Sequence, residues 1–229
     1  MIDVACGAGY PAFAAAARIR PGGIVVASDI SPSMMAAASR AANDLGVDNI
    51  EFRRMDAEAL ELEDASVDAV TNAYGLMFCP NPRQALREAH RVLKPGGRVA
   101  LATWDEPSKS PFFTVITAVA ASHLSLAPPD PTAPGPFRLS SSEELESMLR
   151  ASGFANVRVE SRPMSFTCES VAEYCQIFGD VAWKSRLAGL SDSQRASFTD
   201  AVDRAARPYL HGGCLRLVAT SLCASGEKL

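Results

Sequence analysis

The sequence has no C-x-x-C pair among its six cysteines, Cys6, Cys79, Cys168, Cys175, Cys214 and Cys223. None of its three histidines stands at metal-ligand spacing from any of them. No metal centre is therefore expected, and the thiols read as free, in a reducing, cytoplasmic compartment. A basic run is also lacking and the formal net charge is -4, so a nucleic-acid partner gains no electrostatic support. No apolar stretch reaches the roughly 18 residues of a membrane span. No signal peptide is expected, since the first residues run straight into a glycine turn. Internal repeats and low-complexity tracts are missing too. What is present is a chain of 229 residues, 48% hydrophobic and 21% charged. That suits one α/β domain with a full core and a small-molecule partner. The oligomeric state stays open, a homodimer being one option.

Strand and helix signals alternate through the first hundred residues. Met1 to Ala5 reads as a short strand closed by Gly7 and Gly9. A helix follows from Pro11, whose missing N–H suits the first helical position, to Arg20. Its alanine run favours helix, and Pro21-Gly22-Gly23 stops it. Ile24 to Asp29 is an apolar run of the kind found in strands buried on both faces. Pro32 to Leu45 reads as helix, Ile50 to Arg54 and Val67 to Asn72 as strands, and Pro82 to Leu93 as helix. Lys94-Pro95-Gly96-Gly97 then turns into a fifth strand, Arg98 to Thr103. This alternation predicts a Rossmann-like, doubly wound parallel sheet with right-handed crossovers.

The second half differs. Ser110 to Leu124 looks helical, and the proline-rich stretch from Ala127 to Pro136 looks irregular. Ser141 opens a helix that runs to Gly153. Asn156 to Phe166 reads as a strand, Glu169 to Pro208 as mostly helical, and Cys214 to Cys223 as a last strand. The expected organisation is a single domain over 1–229. It has a cofactor-binding half over 1–105 and a substrate-side half over 106–229, with helical cap insertions at about 108–138 and 167–210.

Ligands in open parallel sheets sit beyond the carboxyl ends of the strands. Four features fall there: the Gly7/Gly9 turn, Asp29, Asp56 and Asn72. Glycines allow backbone angles and close approaches that a side chain forbids. The helix start behind them offers N–H groups to a carboxylate. Asp29 can accept two hydrogen bonds from a ribose diol. Asp56 can accept one from an adenine amino group, with Ile30 and Met34 packing on the ring. Asn72 can hold an ammonium or lie beside a sulfonium. The spacing Gly7-x-Gly9-x-x-Ala12 also fits a dinucleotide fingerprint with Asp29 as its ribose acid, which keeps a nicotinamide-dependent oxidoreductase as an alternative. Such an enzyme should repeat the alternation in its second half, and this chain does not.

Taken together, these residues resemble the class I S-adenosylmethionine-dependent methyltransferases. Asp3-x-x-x-Gly7-x-Gly9 is similar to their first motif, Ser28-Asp29-Ile30-Ser31 to their ribose-acid motif, and Met55-Asp56-Ala57-Glu58 to their adenine-contact motif. Ala89 to Gly97 resembles the helix-turn before strand five in the ubiquinone/menaquinone C-methyltransferase-like branch (methyltransferase type 11/25). Gly135-Pro136-Phe137 and Ala151-Ser152-Gly153-Phe154 look like later landmarks of that branch. The resemblance implies strand order 3-2-1-4-5-7-6, with strand seven antiparallel. It implies S-adenosylmethionine as cofactor, converted to S-adenosylhomocysteine, without a metal. The implied cofactor contacts are Asp3, Ala5, Cys6, Gly7, Gly9, Asp29, Ile30, Met34, Asp56, Ala57 and Asn72. The implied reaction is methyl transfer to carbon or oxygen of a phenolic, quinoid or other small metabolite. The family's N-terminal helices are not seen here, so the expectation is either a natural chain that starts upstream or a protein that lacks this segment, and a cofactor-binding protein without catalysis is the remaining alternative.

Methyl transfer from a sulfonium is an in-line displacement that depends mostly on positioning, and a general base is optional. His211, His123 and Asp105 are the weak candidates for such a base, and His90 reads as structural. Tyr74 and Trp104, then Phe78, are the aromatics placed where a substrate ring would stack.

Overall fold

The computed structural model describes residues 1–19, 21–123, 130, 132–183 and 187–229. Arg20 and Leu124, at the ends of expected helices, and residues 127–129 and 131 of the expected loop lie outside the described residues. The chain divides into two compact units. The first comprises Met1–Trp104, Pro131–Ser161 and Leu222–Leu229, and the second Asp105–Asp130 and Arg162–Ser221. The first break falls after Trp104. Residues 131–161 and the C-terminus nevertheless rejoin the first unit, because they complete its sheet.

That sheet contains β1 (Ile2–Val4), β2 (Val25–Asp29), β3 (Ile50–Arg54), β4 (Val67–Ala73) and β5 (Leu93–Trp104), with parts of β6 (Ala155–Cys168) and β8 (Cys214–Glu227). The order is β3-β2-β1-β4-β5-β8-β6. It is the expected order, with the last long strand renumbered because a two-residue β7 (Leu210–His211) precedes it. The pairs β1–β2, β1–β4, β2–β3 and β4–β5 are parallel. β8 runs against β5: Gly96 and Gly97 exchange hydrogen bonds with Lys228, while Asp105 donates to Thr220. The turn Lys94–Gly97 does not precede β5 as expected but bulges within it, since Leu93 pairs with Val67 and Arg98 with Ala69.

Local chemistry sets the first unit's helices. α1 (Tyr10–Arg18) starts after Gly9 in the left-handed region, so Pro11 is its second residue rather than its first. α2 (Pro32–Leu45) is capped by the Ser31 hydroxyl, which accepts from the Met34 N–H, and ends on left-handed Gly46. Asn81 caps α3 (Pro82–Val92). α5 (Ser142–Ala151) begins at the predicted Ser141 cap. The first unit's core joins Ile2, Val4, Val70, Leu86, Val92, Leu93, Leu145 and Leu149, each 5% exposed or less. His90 is part of this packing. Its ring stands edge-on to Phe154 at 5.1 Å and against Gly153, where a Cβ would lie 2.9 Å from Nε2.

The second unit holds α4 (Pro111–His123), α6 (Val171–Phe178) and α7 (Asp192–Ala206). Its core is aromatic. Phe112 stacks on Phe166 at 4.3 Å, and the fully buried Tyr174 donates its hydroxyl to the Phe112 carbonyl at 2.6 Å. A capping box of Ser191 and Gln194 starts α7. No helix among the described residues is long and apolar enough to cross a membrane.

Candidate functional site

The first unit contains a cavity of about 650 Å³ at the carboxyl ends of β1, β2, β3 and β4. Its floor is the glycine turn. Ala5, Gly7 and Gly9 all take positive φ (55°, 54° and 93°), which folds the backbone tightly over the end of β1. Gly9 also needs its missing side chain, because a Cβ there would sit 2.5 Å from the Phe13 ring. Asp29 fixes the turn from β2. Its Oδ2 accepts from the Gly7 N–H at 3.0 Å and its Oδ1 from the Ser31 N–H at 2.9 Å. One carboxylate thus orients the turn and the start of α2, and keeps outer lone pairs for a ligand hydroxyl pair.

Opposite lies the end of β4. The Asn72 amide donates to the Val4 carbonyl at 3.0 Å, while its Oδ1 accepts from Gly75 (3.1 Å) and Leu76 (2.8 Å). Gly75 is glycine because a Cβ would lie 2.4 Å from the Ala5 Cβ. Asn72 therefore joins β1 to the segment after β4 from behind the cavity. Asp3 stands behind it as well. It is wholly buried, its Oδ1 accepts from the Thr71 hydroxyl at 2.7 Å, and its Oδ2 has no hydrogen-bond partner among the described residues. Burial pushes its carboxyl up to about 6, against the opposing Thr71 hydrogen bond.

Eight of the expected cofactor residues line the cavity: Ala5, Cys6, Gly7, Asp29, Ile30, Met34, Asp56 and Ala57. Asp3, Gly9 and Asn72 are not among its lining residues. Ile30 and Met34 are 58% and 45% exposed, an apolar rim that a flat ligand would cover. Of the substrate candidates, Tyr74 and Phe78 line the cavity. Trp104 does not, but its ring stacks on Tyr74 at 4.3 Å and 19°. Sequence reasoning missed Tyr10, Pro11, Met55, Ala73, Gly75, Cys79 and Pro80, which also line it. The start of α1 was a usable signal for the first two. Cys79 and Pro80 follow a short 3-10 turn that no pattern announced. The Cys6 and Cys79 thiols are held neutral mainly by burial, pushed up to about 12 and about 11.

The three candidate bases belong to the second unit, and the described lining comes entirely from the first. His211 is exposed in the β7–β8 hairpin. His123 is exposed at the end of α4 and faces the Phe198 ring edge-on at 6.0 Å. Asp105 is 2% exposed, with both oxygens 3.1 Å from the Lys109 ammonium. The arrangement suits binding and positioning of a nucleoside-bearing ligand.

Residues 2–101 match the family model described as a methyltransferase domain. A demethylmenaquinone methyltransferase from Clavibacter sepedonicus is 36% identical over 166 residues, covering 69% of this chain and 66% of that protein. The YcgJ protein from Bacillus subtilis has the same fold, with a TM-score of 0.63 at 21% identity over 99% of this chain and 90% of that one. Phosphoethanolamine N-methyltransferase 2 from Haemonchus contortus, solved in complex with S-adenosyl-L-methionine, shares the fold at a TM-score of 0.58 and 18% identity, over 100% of this chain and 48% of that one. The chain spans less than two thirds of the length of the curated relatives it matches, 66% and 44% for two of them.

Proposed function

We propose that this chain is an S-adenosylmethionine-dependent methyltransferase, whose first unit binds S-adenosylmethionine and presents the methyl group to carbon or oxygen of a small molecule. The observation that carries the reading is Asp29, whose two oxygens are pinned by the Gly7 and Ser31 N–H groups at the edge of an apolar cavity. A ribose diol would donate to the remaining lone pairs. Asp56 would accept from the adenine amino group, with Ile30 and Met34 against the ring. The residues present fit the group: Gly7 lines the cavity with no atom within 4 Å of where its Cβ would stand, which leaves open space beside the turn. When bound, S-adenosylmethionine supplies an already activated methyl group.

The chain's own part is positional. The glycine turn and α1 present backbone to the amino-acid end, and the buried thiols stay neutral beside it. Asn72 and Asp3 keep β1 and β4 in register behind the cavity. Phe78 and the Tyr74–Trp104 pair would meet the acceptor. The oxidoreductase alternative is less favoured, because antiparallel β8 and helical insertions replace a second alternating half. Calorimetric titration tests the reading. S-adenosylhomocysteine and S-adenosylmethionine should bind one site per chain, and NADH should not. A folded protein that takes up neither sulfur nucleoside would overturn it.

A further inference from the structure

The end of β4 holds Tyr74 at φ 61°, a left-handed backbone that aromatic residues rarely adopt. A residue able to absorb that angle stands next door, but Gly75 has φ -97° and is a glycine for another reason, since a Cβ there would lie 2.4 Å from the Ala5 Cβ. The strained angle therefore falls on the residue that carries a ring. Three contacts place that ring. The Tyr74 N–H donates to the Ala102 carbonyl at 2.8 Å, extending the β4–β5 ladder by one residue. The ring stacks on Trp104, the last residue of β5, at 4.3 Å and 19°. It also borders the cavity beside Ala73 and Gly75. Both aromatics remain half-buried. Strain at a cavity edge that glycine or asparagine would relieve points to a residue retained for what its side chain meets.

We propose that Tyr74, backed by Trp104, selects the methyl acceptor by taking a flat, conjugated ring against its face and disfavouring a saturated ring of the same outline. This rests on the methyltransferase reading and narrows its acceptor from a small molecule to a planar one. Offset stacking between π faces supplies an attraction that a saturated ring cannot return. The backbone of Tyr74 sets the ring in advance, so little freedom is lost when the acceptor arrives.

The test uses the whole chain saturated with S-adenosylhomocysteine, titrated with 2-naphthol and with decahydro-2-naphthol. Wild type and Tyr74→Phe should bind the flat ring roughly tenfold tighter than the saturated one. Tyr74→Leu, compared at saturating S-adenosylhomocysteine, should bring the two within about twofold. Tyr74→Asn, which suits the left-handed backbone and lacks a ring, repeats the test should the leucine variant misfold. Equal binding of both alcohols by wild type, no binding of either, or a preference that survives in the ringless variants overturns the proposal. Failure of wild type to take up S-adenosylhomocysteine would instead sink the methyltransferase reading beneath it.

Discussion

Replacing Asp3 with asparagine should change how stability depends on pH, by an amount the structure fixes. Asp3 is fully buried, with one oxygen bonded to Thr71 and the other without a hydrogen-bond partner among the described residues, the Ala12 backbone adding only a minor downward pull on its carboxyl. Its carboxyl is raised from 3.8 to about 6, mainly by burial. Between those two pH values the folded chain holds a proton that the unfolded chain has released. Stability contributed by the protonated form is complete below about pH 4 and is lost as pH rises through about 6. The loss amounts to about 3 kcal/mol at about 1.4 kcal/mol per pH unit. Asparagine keeps the Thr71 bond and the shape but cannot ionise. Its own burial cost, an unpaired amide hydrogen, does not vary with pH. Urea unfolding of both proteins at several pH values, without ligand, is the assay. The stability of Asp3→Asn relative to wild type should climb by about 3 kcal/mol from pH 3 to pH 7. Parallel curves would show that Asp3 ionises normally and would refute the buried-buttress account.

Three further outcomes follow from the same geometry. Gly75→Ala would force a Cβ to within 2.4 Å of Ala5 and should cost about 1–3 kcal/mol, read as a lower urea midpoint at unchanged slope. Asn72→Ala removes bonds to Val4, Gly75 and Leu76 and should cost about 1–3 kcal/mol, with a weaker affinity for S-adenosylhomocysteine; an unchanged affinity would mean the β1–β4 tie does not shape the cavity. Thiol labelling at about pH 8 should reach the exposed Cys223 first and leave Cys6 and Cys79, buried and raised to about 12 and about 11, unmodified in the folded state. Labelling of Cys6 as fast as Cys223 would contradict the described packing of the glycine turn.

The features legible in the sequence are those written in local composition. The Gly7/Gly9 turn, the apolar run into Asp29 and the Ser141 cap each follow from neighbouring residues, and the structure places them as expected. Strand order came from resemblance, because antiparallel β8 joins β5 across more than a hundred residues of chain. Long-range returns hid the rest. Residues 131–161 rejoin the first unit, which no local pattern in a proline-rich stretch announces. Asp3 and Asn72 read as ligand contacts because motifs mark positions, not directions; their side chains turn behind the turn they support. The Tyr74–Trp104 pair was legible as aromatic residues at strand ends, but not the left-handed backbone that aims one at the other.

The central claim is that Asp29 anchors a ribose in this cavity, and equilibrium dialysis with tritiated S-adenosylmethionine measures it most directly. Wild type should bind, and Asp29→Ala, verified as folded by circular dichroism, should bind roughly tenfold to a hundredfold more weakly, the loss expected when hydrogen bonds to a charged acceptor vanish. Equal affinity in the two proteins would contradict the account.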